Sequence, residues 1–309
     1  LQKICTANIK NEIGKCTYTQ MLNSDGGIET DLTVICLDKD YFRIISSAAT
    51  RERDKFHIKK HLHEDIELKD VTDDFCVFGL FGPKSRDLIQ SLSSDNFKND
   101  NFKFATAKYI IIDGVKIWAQ RLSYVGELGY ELYIEFKDAK KIYDLIIEAG
   151  KNFNLSNCGM HAMDIMRMES GFLHWGHDIS PEENQYEANL NFSISLKKDY
   201  DFIGKESLLK MKDKKPKKRL IMLCLQESKP GEPLMLHDEP IYLDNKIIGV
   251  TTSGNYSFNF NKNLSFGYIK SDNSNLELSK KNLYIEIEKI KYPAEVLLNP
   301  LKQTDFKKI

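Results

Sequence analysis

The chain has 309 residues, 41% hydrophobic and 29% charged. At roughly 100–200 residues per domain this suits two or three domains or one large one, with a core that needs neither disulfide nor metal. Its 44 basic and 45 acidic side chains leave a formal charge of -1, so no basic stripe points to nucleic acid and no acidic tail to a solvating segment. The apolar stretches fall far short of the ~18 residues of a membrane helix.

In chain order, Thr17–Leu22 reads as a strand entering the turn cluster Asn23-Ser24-Asp25-Gly26-Gly27. Asp31–Cys36 and Tyr41–Ser46 read as a hairpin about Asp38-Lys39-Asp40, and Ala49–His63 has helical spacing. Phe75–Phe81 is a strand, after which Gly82-Pro83 opens a helix through Leu92, with Pro in the first turn where its missing N–H costs nothing. Tyr109–Ile112 and Val115–Leu122 flank Asp113-Gly114, a strong hairpin signal, and Tyr130–Ile134 alternates as a strand. Asp138 is placed to cap a helix carrying Ile142, Leu145, Ile146 and Ala149, stopped by Gly150. Met160–Ser170 is a further helix, ended by Gly171.

Residues 210–218 are polar and Lys-rich around Pro216, the best linker candidate. Beyond it only short strands follow: Arg219–Leu225, Ile247–Ser253, Ser265–Ile269, Leu283–Ile287 and Ala294–Leu298. The expectation is an α+β body over residues 1–209 and an all-β domain over residues 219–309. Cys5, Cys16, Cys36, Cys76, Cys158 and Cys224 form no CxxC and read as reduced thiols of a reducing compartment. The chain begins Leu-Gln-Lys-Ile-Cys, with neither Met nor a signal-peptide pattern, which reads as a processed start or a piece of a longer polypeptide.

Three stretches could carry chemistry. Asp31 stands after the Gly turn as a carboxylate that either is a solvated acid or faces a cleft and handles a proton. Ser123–Glu131 is a Gly-containing loop running into a strand, with Glu131 on one sheet face in mid-strand. A lone buried charge is costly, so Glu131 either pairs with a Lys or Arg or clasps a planar ligand edge with two adjacent N–H donors, such as a pterin or guanine presents. Arg167 lies in an apolar helix, and its anionic partner is either Asp164, three residues back, or a ligand carboxylate. His174 and His177 straddle Trp175-Gly176, which breaks helical pairing of the two, while His57, His61 and His63 suit an exposed helix face; a zinc site wants four convergent ligands. No Walker, GxGxxG, GxSxG or HExxH motif occurs.

Further stretches stand in a fixed order: Tyr18-Thr19-Gln20-Met21-Leu22-Asn23, Gly26-Gly27-Ile28 and Asp31-Leu32-Thr33-Val34; Phe81-Gly82-Pro83-Lys84-Ser85; Tyr124-Val125-Gly126-Glu127 and Gly129-Tyr130-Glu131. They continue with Arg167-Met168-Glu169-Ser170-Gly171, Trp175-Gly176-His177-Asp178-Ile179, Asn184, Glu187-Ala188, Phe202-Ile203-Gly204-Lys205, Thr252-Ser253-Gly254 and Phe266-Gly267-Tyr268. Together they resemble the aminomethyltransferase (glycine-cleavage T-protein) superfamily, and within it most the tetrahydrofolate-binding C-terminal half of dimethylglycine and sarcosine dehydrogenases. The resemblance implies a two-lobed α+β folate domain, its first lobe incomplete here, followed by a small Greek-key or jelly-roll β-barrel. A FAD domain precedes this half in the dehydrogenases, and its absence from the chain reads as a fragment or a separately encoded half.

The same resemblance makes Asp31 the catalytic aspartate and assigns Tyr124, Glu131, Ser47, Arg167, Trp175 and Glu187 to folate binding, with no metal. Ser47 stands where many T-proteins carry Asn. The implied activity is capture of the imine from dimethylglycine or sarcosine oxidation on tetrahydrofolate, giving 5,10-methylenetetrahydrofolate. The implied partners are a small amine or imine donor and either a FAD-dependent oxidase or dehydrogenase domain or subunit, or a lipoyl carrier protein. Neither nucleic acid nor membrane is expected, and the location would be the cytoplasm, or the mitochondrial matrix in a eukaryote. Two alternatives stand beside this: a T-protein of glycine cleavage, and a non-catalytic folate-binding protein. The latter group carries a Lys-Gly-Cys-Tyr-x-Gly-Gln stretch where this chain has Asp201-Phe202-Ile203-Gly204-Lys205.

Overall fold

Alternating apolar residues make the first strands, β1 (Cys16–Leu22), β2 (Ile28–Asp38) and β3 (Tyr41–Ser46), which form a sheet in the order β1-β2-β3. Helix α1 (Arg51–Lys60) follows a short 3-10 turn, and then come β4 (Phe75–Phe81), α2 (Ser85–Leu92), β5 (Ala107–Ile112), β6 (Val115–Gln120), β7 (Gly129–Glu135) and α3 (Ala139–Gly150). Helices α4 (Met160–Glu169) and α5 (Lys205–Lys212) lead into β8 (Arg219–Leu225), β9 (Pro240–Leu243), β10 (Lys246–Ser257), β11 (Lys262–Ile269), α6 (Asn275–Leu278), β12 (Leu283–Ile287) and β13 (Ile290–Leu297). This computed structural model describes every residue except 271, 303, 304, 306 and 309. The chain divides into two compact units, Leu1–Asn8, Thr19–Asp31 and Met160–Gln303 in the first, and Ile9–Tyr18, Leu32–Gly159 and Thr304–Ile309 in the second.

In the second unit the antiparallel sheet β4-β7-β6-β5 has two covered faces. Leu80, Ile110, Ile117, Leu132 and Ile134 pack on one side against Leu88 and Ile89 of α2 and Ile142 and Ile146 of α3. Each such side chain contributes about 1.5–3 kcal/mol when fully buried. Trp118 and Tyr133 point the other way and join Cys16, Ile35 and Ile45 of the three-stranded sheet. The hairpin between β5 and β6 turns at Asp113 (φ 46°) and Gly114 (φ 77°), the conformation for which Asp-Gly is selected.

Several helix ends differ from expectation: α1 is shorter than Ala49–His63, and Asp138 precedes α3 without a side-chain capping hydrogen bond. Helix α2 starts at Ser85, not at Pro83, because Gly82 (φ 121°) and Ser85 are held by the residue just before β7: the Gly82 N–H and the Ser85 hydroxyl both donate to the Leu128 carbonyl. Gly150 does not stop α3. Its φ is -61°, a 3-10 turn over Lys151–Phe153 continues the helix, and the left-handed residue is Asn154. Gly150 is small for a packing reason, since a Cβ there would stand 2.4 Å from Leu155 Cδ2.

In the first unit β8 to β13 close a barrel in the order β10-β11-β8-β13-β12-β9. Every pairing is antiparallel. Ile221, Leu223, Leu225, Ile241, Ile269, Ile285 and Val296 fill its interior. Leu220, Met222 and Cys224 take the alternate face and pack with Phe266 and Tyr268 on Ile165 and Met168 of α4. Burial on both faces is why β8 reads as an unbroken apolar run. Strand β9 was not expected, and α5 covers the first residues of the Lys-rich stretch. An α+β body followed by a small β-barrel is the architecture of the chain.

Candidate functional site

Glu131 lies in the middle of β7, on the face that looks toward the three-stranded sheet. Within the described residues no Lys or Arg pairs with it; its carboxylate accepts a single hydrogen bond, from the Tyr133 hydroxyl at 3.2 Å. The nearby cation, Arg43, lies instead over the rings of Phe75 (5.0 Å) and Trp118 (5.6 Å). Burial therefore raises the pKa of Glu131, opposed only by the Tyr133 hydrogen bond. The effect spreads to its neighbours: burial first, and then the Glu131 charge, push the Cys16 thiol up to about 12, and the Tyr133 phenol is raised for the same reasons. Across the ladder from Glu131 stands Gln120, which is fully buried and whose two amide atoms have no partner among the described residues. Glu131 and Gln120 thus form a half-satisfied buried polar pair on neighbouring strands of the second unit.

Asp31, the fourth residue of β2, belongs to the first unit and is held from behind. Gln20 Nε2 donates to its Oδ1 at 2.7 Å, and Gln20 Oε1 accepts from Gln185 Nε2 (2.6 Å) and Ser193 Oγ (2.5 Å). Because a carboxylate only accepts, the Gln20 amide nitrogen must face Asp31 and its oxygen the two donors. Gln20, Gln185 and Thr6 are fully buried, so the orientation of Asp31 is tied to a rigid polar network. Nearby, Gly27 admits the backbone of Pro181, whose carbonyl oxygen would be 2.0 Å from a Cβ at this position. The Trp175 indole N–H donates to the Ile28 carbonyl at 3.0 Å, pinning the 175–181 segment to the start of β2.

Arg167 is almost wholly enclosed and directs its guanidinium at protein groups: Asp164 (2.9 Å), Asp178 (2.5 Å), the Phe172 carbonyl (3.1 Å) and Ser253 Oγ (2.8 Å). Asp178 accepts further hydrogen bonds from Thr252, Ser253 and the His174 N–H. The pair with Asp164 is thus present, within a larger buried ion-pair cluster. Glu187, buried, accepts from the Asn184 N–H at 3.2 Å, and burial together with Glu183, Asp178 and Glu187 raises the pKa of the Tyr268 hydroxyl, which has no hydrogen-bond partner among the described residues. His174 is lowered, first by burial and then by His177 and Arg167, and among the described residues no His, Cys, Asp or Glu group is arranged to hold a metal.

The structure therefore gathers Asp31, Arg167, Trp175 and Glu187 in the first unit and Ser47, Tyr124 and Glu131 in the second. Tyr124 is half-buried in the Ser123–Leu128 loop, where Ser123 Oγ accepts from the Glu127 N–H. Ser47 closes the turn after β3 by its carbonyl, which accepts from the Thr50 N–H and hydroxyl.

Residues 1–198 match the GCVT N-terminal domain, and residues 218–302 match the glycine cleavage T-protein C-terminal barrel domain. The chain belongs to the aminomethyltransferase superfamily. An aminomethyltransferase of Halothermothrix orenii is 31% identical over 298 residues, covering 95% of this chain and 82% of that protein. Human mitochondrial dimethylglycine dehydrogenase is 33% identical over 97% of this chain, which spans only 34% of that relative's length. The 4-methylaminobutanoate oxidase (formaldehyde-forming) of Paenarthrobacter nicotinovorans is 32% identical over 97% of the chain and 36% of its own length. The crystal structure of aminomethyltransferase T of the glycine cleavage system from Bartonella henselae superposes with a TM-score of 0.84 at 20% identity, covering 98% of this chain and 80% of that one, so the fold is shared.

Within this superfamily member, three polar side chains escaped sequence reasoning. Gln20 lies in the Tyr18–Asn23 run, Gln185 beside Asn184 and Gln120 within the Val115–Leu122 strand pattern, and none of these settings marks an amide as special. A buried Gln is a weak signal until strand register shows what it faces.

Proposed function

We propose that the chain is the folate-dependent one-carbon transferase part of a dimethylglycine- or sarcosine-oxidising system, forming 5,10-methylenetetrahydrofolate. The observation that carries this is Glu131: a buried mid-strand carboxylate that, among the described residues, has a hydroxyl as its one partner and no cation, suited to two adjacent N–H donors of a planar ring. Glu131 would hold the pterin edge of tetrahydrofolate, with Tyr124 and Ser47 as further contacts of the second unit. Tetrahydrofolate supplies the nucleophilic amines that accept the one-carbon group. Asp31, oriented by Gln20, would stabilise positive charge at the reacting amine and take or relay its proton. Trp175 and Glu187 are further folate-binding candidates. Arg167, with four protein partners, would serve by fixing Asp178 and the segment that carries Trp175.

Relatives on both sides support neighbouring readings. The fit to most of the length of the Halothermothrix aminomethyltransferase favours, as the second reading, a T-protein that works with a lipoyl carrier. A reaction screen separates them: tetrahydrofolate with aminomethyl-lipoate on one side, and with sarcosine or dimethylglycine plus a FAD-dependent oxidase on the other. Methylenetetrahydrofolate from the oxidase mixture alone supports the first reading, and from aminomethyl-lipoate alone the second. Binding of tetrahydrofolate without turnover of any donor would leave a non-catalytic folate-binding protein.

A further inference from the structure

Strand β6 ends on a residue that an apolar strand does not need. Gln120 is 0% exposed, and neither its Oε1 nor its Nε2 finds a hydrogen-bond partner among the described residues. A primary amide can form up to four hydrogen bonds, and burying one with none made is an uncommon expense for a native core. The register says what it lies beside. Gln120 pairs across the ladder with Glu131 of β7, and Glu131 with Gly79 of β4. Directly opposed residues of antiparallel strands point to the same face with Cβ atoms about 4.5–5.5 Å apart, so the amide and the carboxylate stand side by side.

The apolar wall of this row is also built. Phe81 lies along the two glycines of the same face: a Cβ on Gly79 would be 2.4 Å from Phe81 Cε2, and one on Gly129 2.1 Å from Cδ1. Any other residue at either position would push the ring away from the Glu131 row. The cluster thus holds two acceptors on Glu131, a donor and an acceptor on Gln120, and an aromatic ring beside them, all within one unit.

We propose that Gln120 is a second ligand-reading residue of the Glu131 site, its Nε2 donating to the ring carbonyl that neighbours the two N–H groups taken by Glu131. An amino-lactam heterocycle presents an amine, a ring N–H and a carbonyl in sequence along one edge, and the carboxylate–amide pair is complementary to that order. This deepens the folate reading and rests on it. It also explains an otherwise unfavourable core residue: the amide is unpaired in the free protein because its partner is the ligand.

The test uses the full chain with Gln120→Met, which keeps the length and removes both polar atoms, and Gln120→Glu, which sets an acceptor against the carbonyl and a second charge beside Glu131. Tetrahydrofolate, kept reduced, is titrated into each by calorimetry, and the melting temperature of each free protein is recorded. For Gln120→Met the free protein should melt at or a few degrees above the wild-type temperature while tetrahydrofolate affinity falls roughly tenfold. Gln120→Glu should bind weaker still, by roughly a hundredfold. Wild-type affinity in Gln120→Met overturns the assignment of Gln120, as does a melting temperature that falls with the affinity, which marks a structural role. A wild-type chain that binds no tetrahydrofolate is a different outcome and overturns the folate reading together with this one.

Discussion

Glu131→Gln keeps the shape of the side chain and removes its charge, so it separates what the carboxylate does for folding from what it does for a ligand. In the free protein the carboxylate accepts, among the described residues, one hydrogen bond, the 3.2 Å contact from Tyr133, and burial raises its pKa. An acid whose pKa is raised by folding takes up protons on folding, so its contribution to stability declines as the pH rises from the ordinary glutamate value near 4.3 through the raised one. The amide should therefore be neutral at acid pH and stabilising above that window, by about 0.5–2 kcal/mol, the usual gain when a functional group is removed from a strained site. Binding should move the other way. Gln keeps one acceptor but turns an NH2 toward a ligand N–H, and losing charged hydrogen bonds worth about 1.5–3 kcal/mol weakens tetrahydrofolate roughly 10- to 150-fold. Wild-type affinity should itself decline as the pH falls through the raised pKa, because the protonated acid no longer offers two acceptors. Calorimetric titration and thermal melts from about pH 4 to 8 measure both effects. Unchanged affinity in the variant, or a loss of stability at neutral pH, would refute the reasoning.

Asp31→Asn should lower turnover at saturating folate far more than it weakens folate binding, since it keeps the shape and loses basicity; wild-type kcat would remove Asp31 from the chemistry. Gln20→Met deprives Asp31 of its 2.7 Å donor and removes the buried Oε1 that accepts from Gln185 and Ser193. It should cost about 1–3 kcal/mol in urea unfolding and reduce kcat, whereas a variant with intact turnover would show that Asp31 needs no such orientation. Arg167→Met strands the buried Asp178 and should destabilise by about 3–5 kcal/mol, and Arg167→Lys should not restore the loss because it cannot span the same partners. A stability change within about 0.5 kcal/mol would place Arg167 outside the structural cluster.

Much of the fold is legible because local patterns and tertiary contacts agree. The β4 bounds, the Asp113-Gly114 hairpin and the stop of α4 shortly before Gly171 (φ 77°) follow from alternation and turn chemistry alone. Where they part, tertiary contacts decide. The start of α2 moves because Gly82 and Ser85 must reach the Leu128 carbonyl, and Gly150 is a packing glycine under Leu155, not a cap. Strand β9 is not legible because it is four residues long and begins with Pro240, a pattern that reads as a turn. In the site, Glu131 and Asp31 were legible as carboxylates in unusual settings. The sequence left open whether Glu131 meets a cation, and the structure pairs it with Tyr133. Gln20, Gln120 and Gln185 were not legible, because an amide acquires meaning only through register and contacts distant in sequence.

The most direct test of the account is a crystal structure of the full chain with a stable reduced folate, such as 5-methyltetrahydrofolate. The account predicts both Glu131 carboxylate oxygens within hydrogen-bond distance, about 2.7–3.2 Å, of adjacent N–H groups on the pterin edge. A folate bound elsewhere, with Glu131 still held by Tyr133 alone, would contradict it.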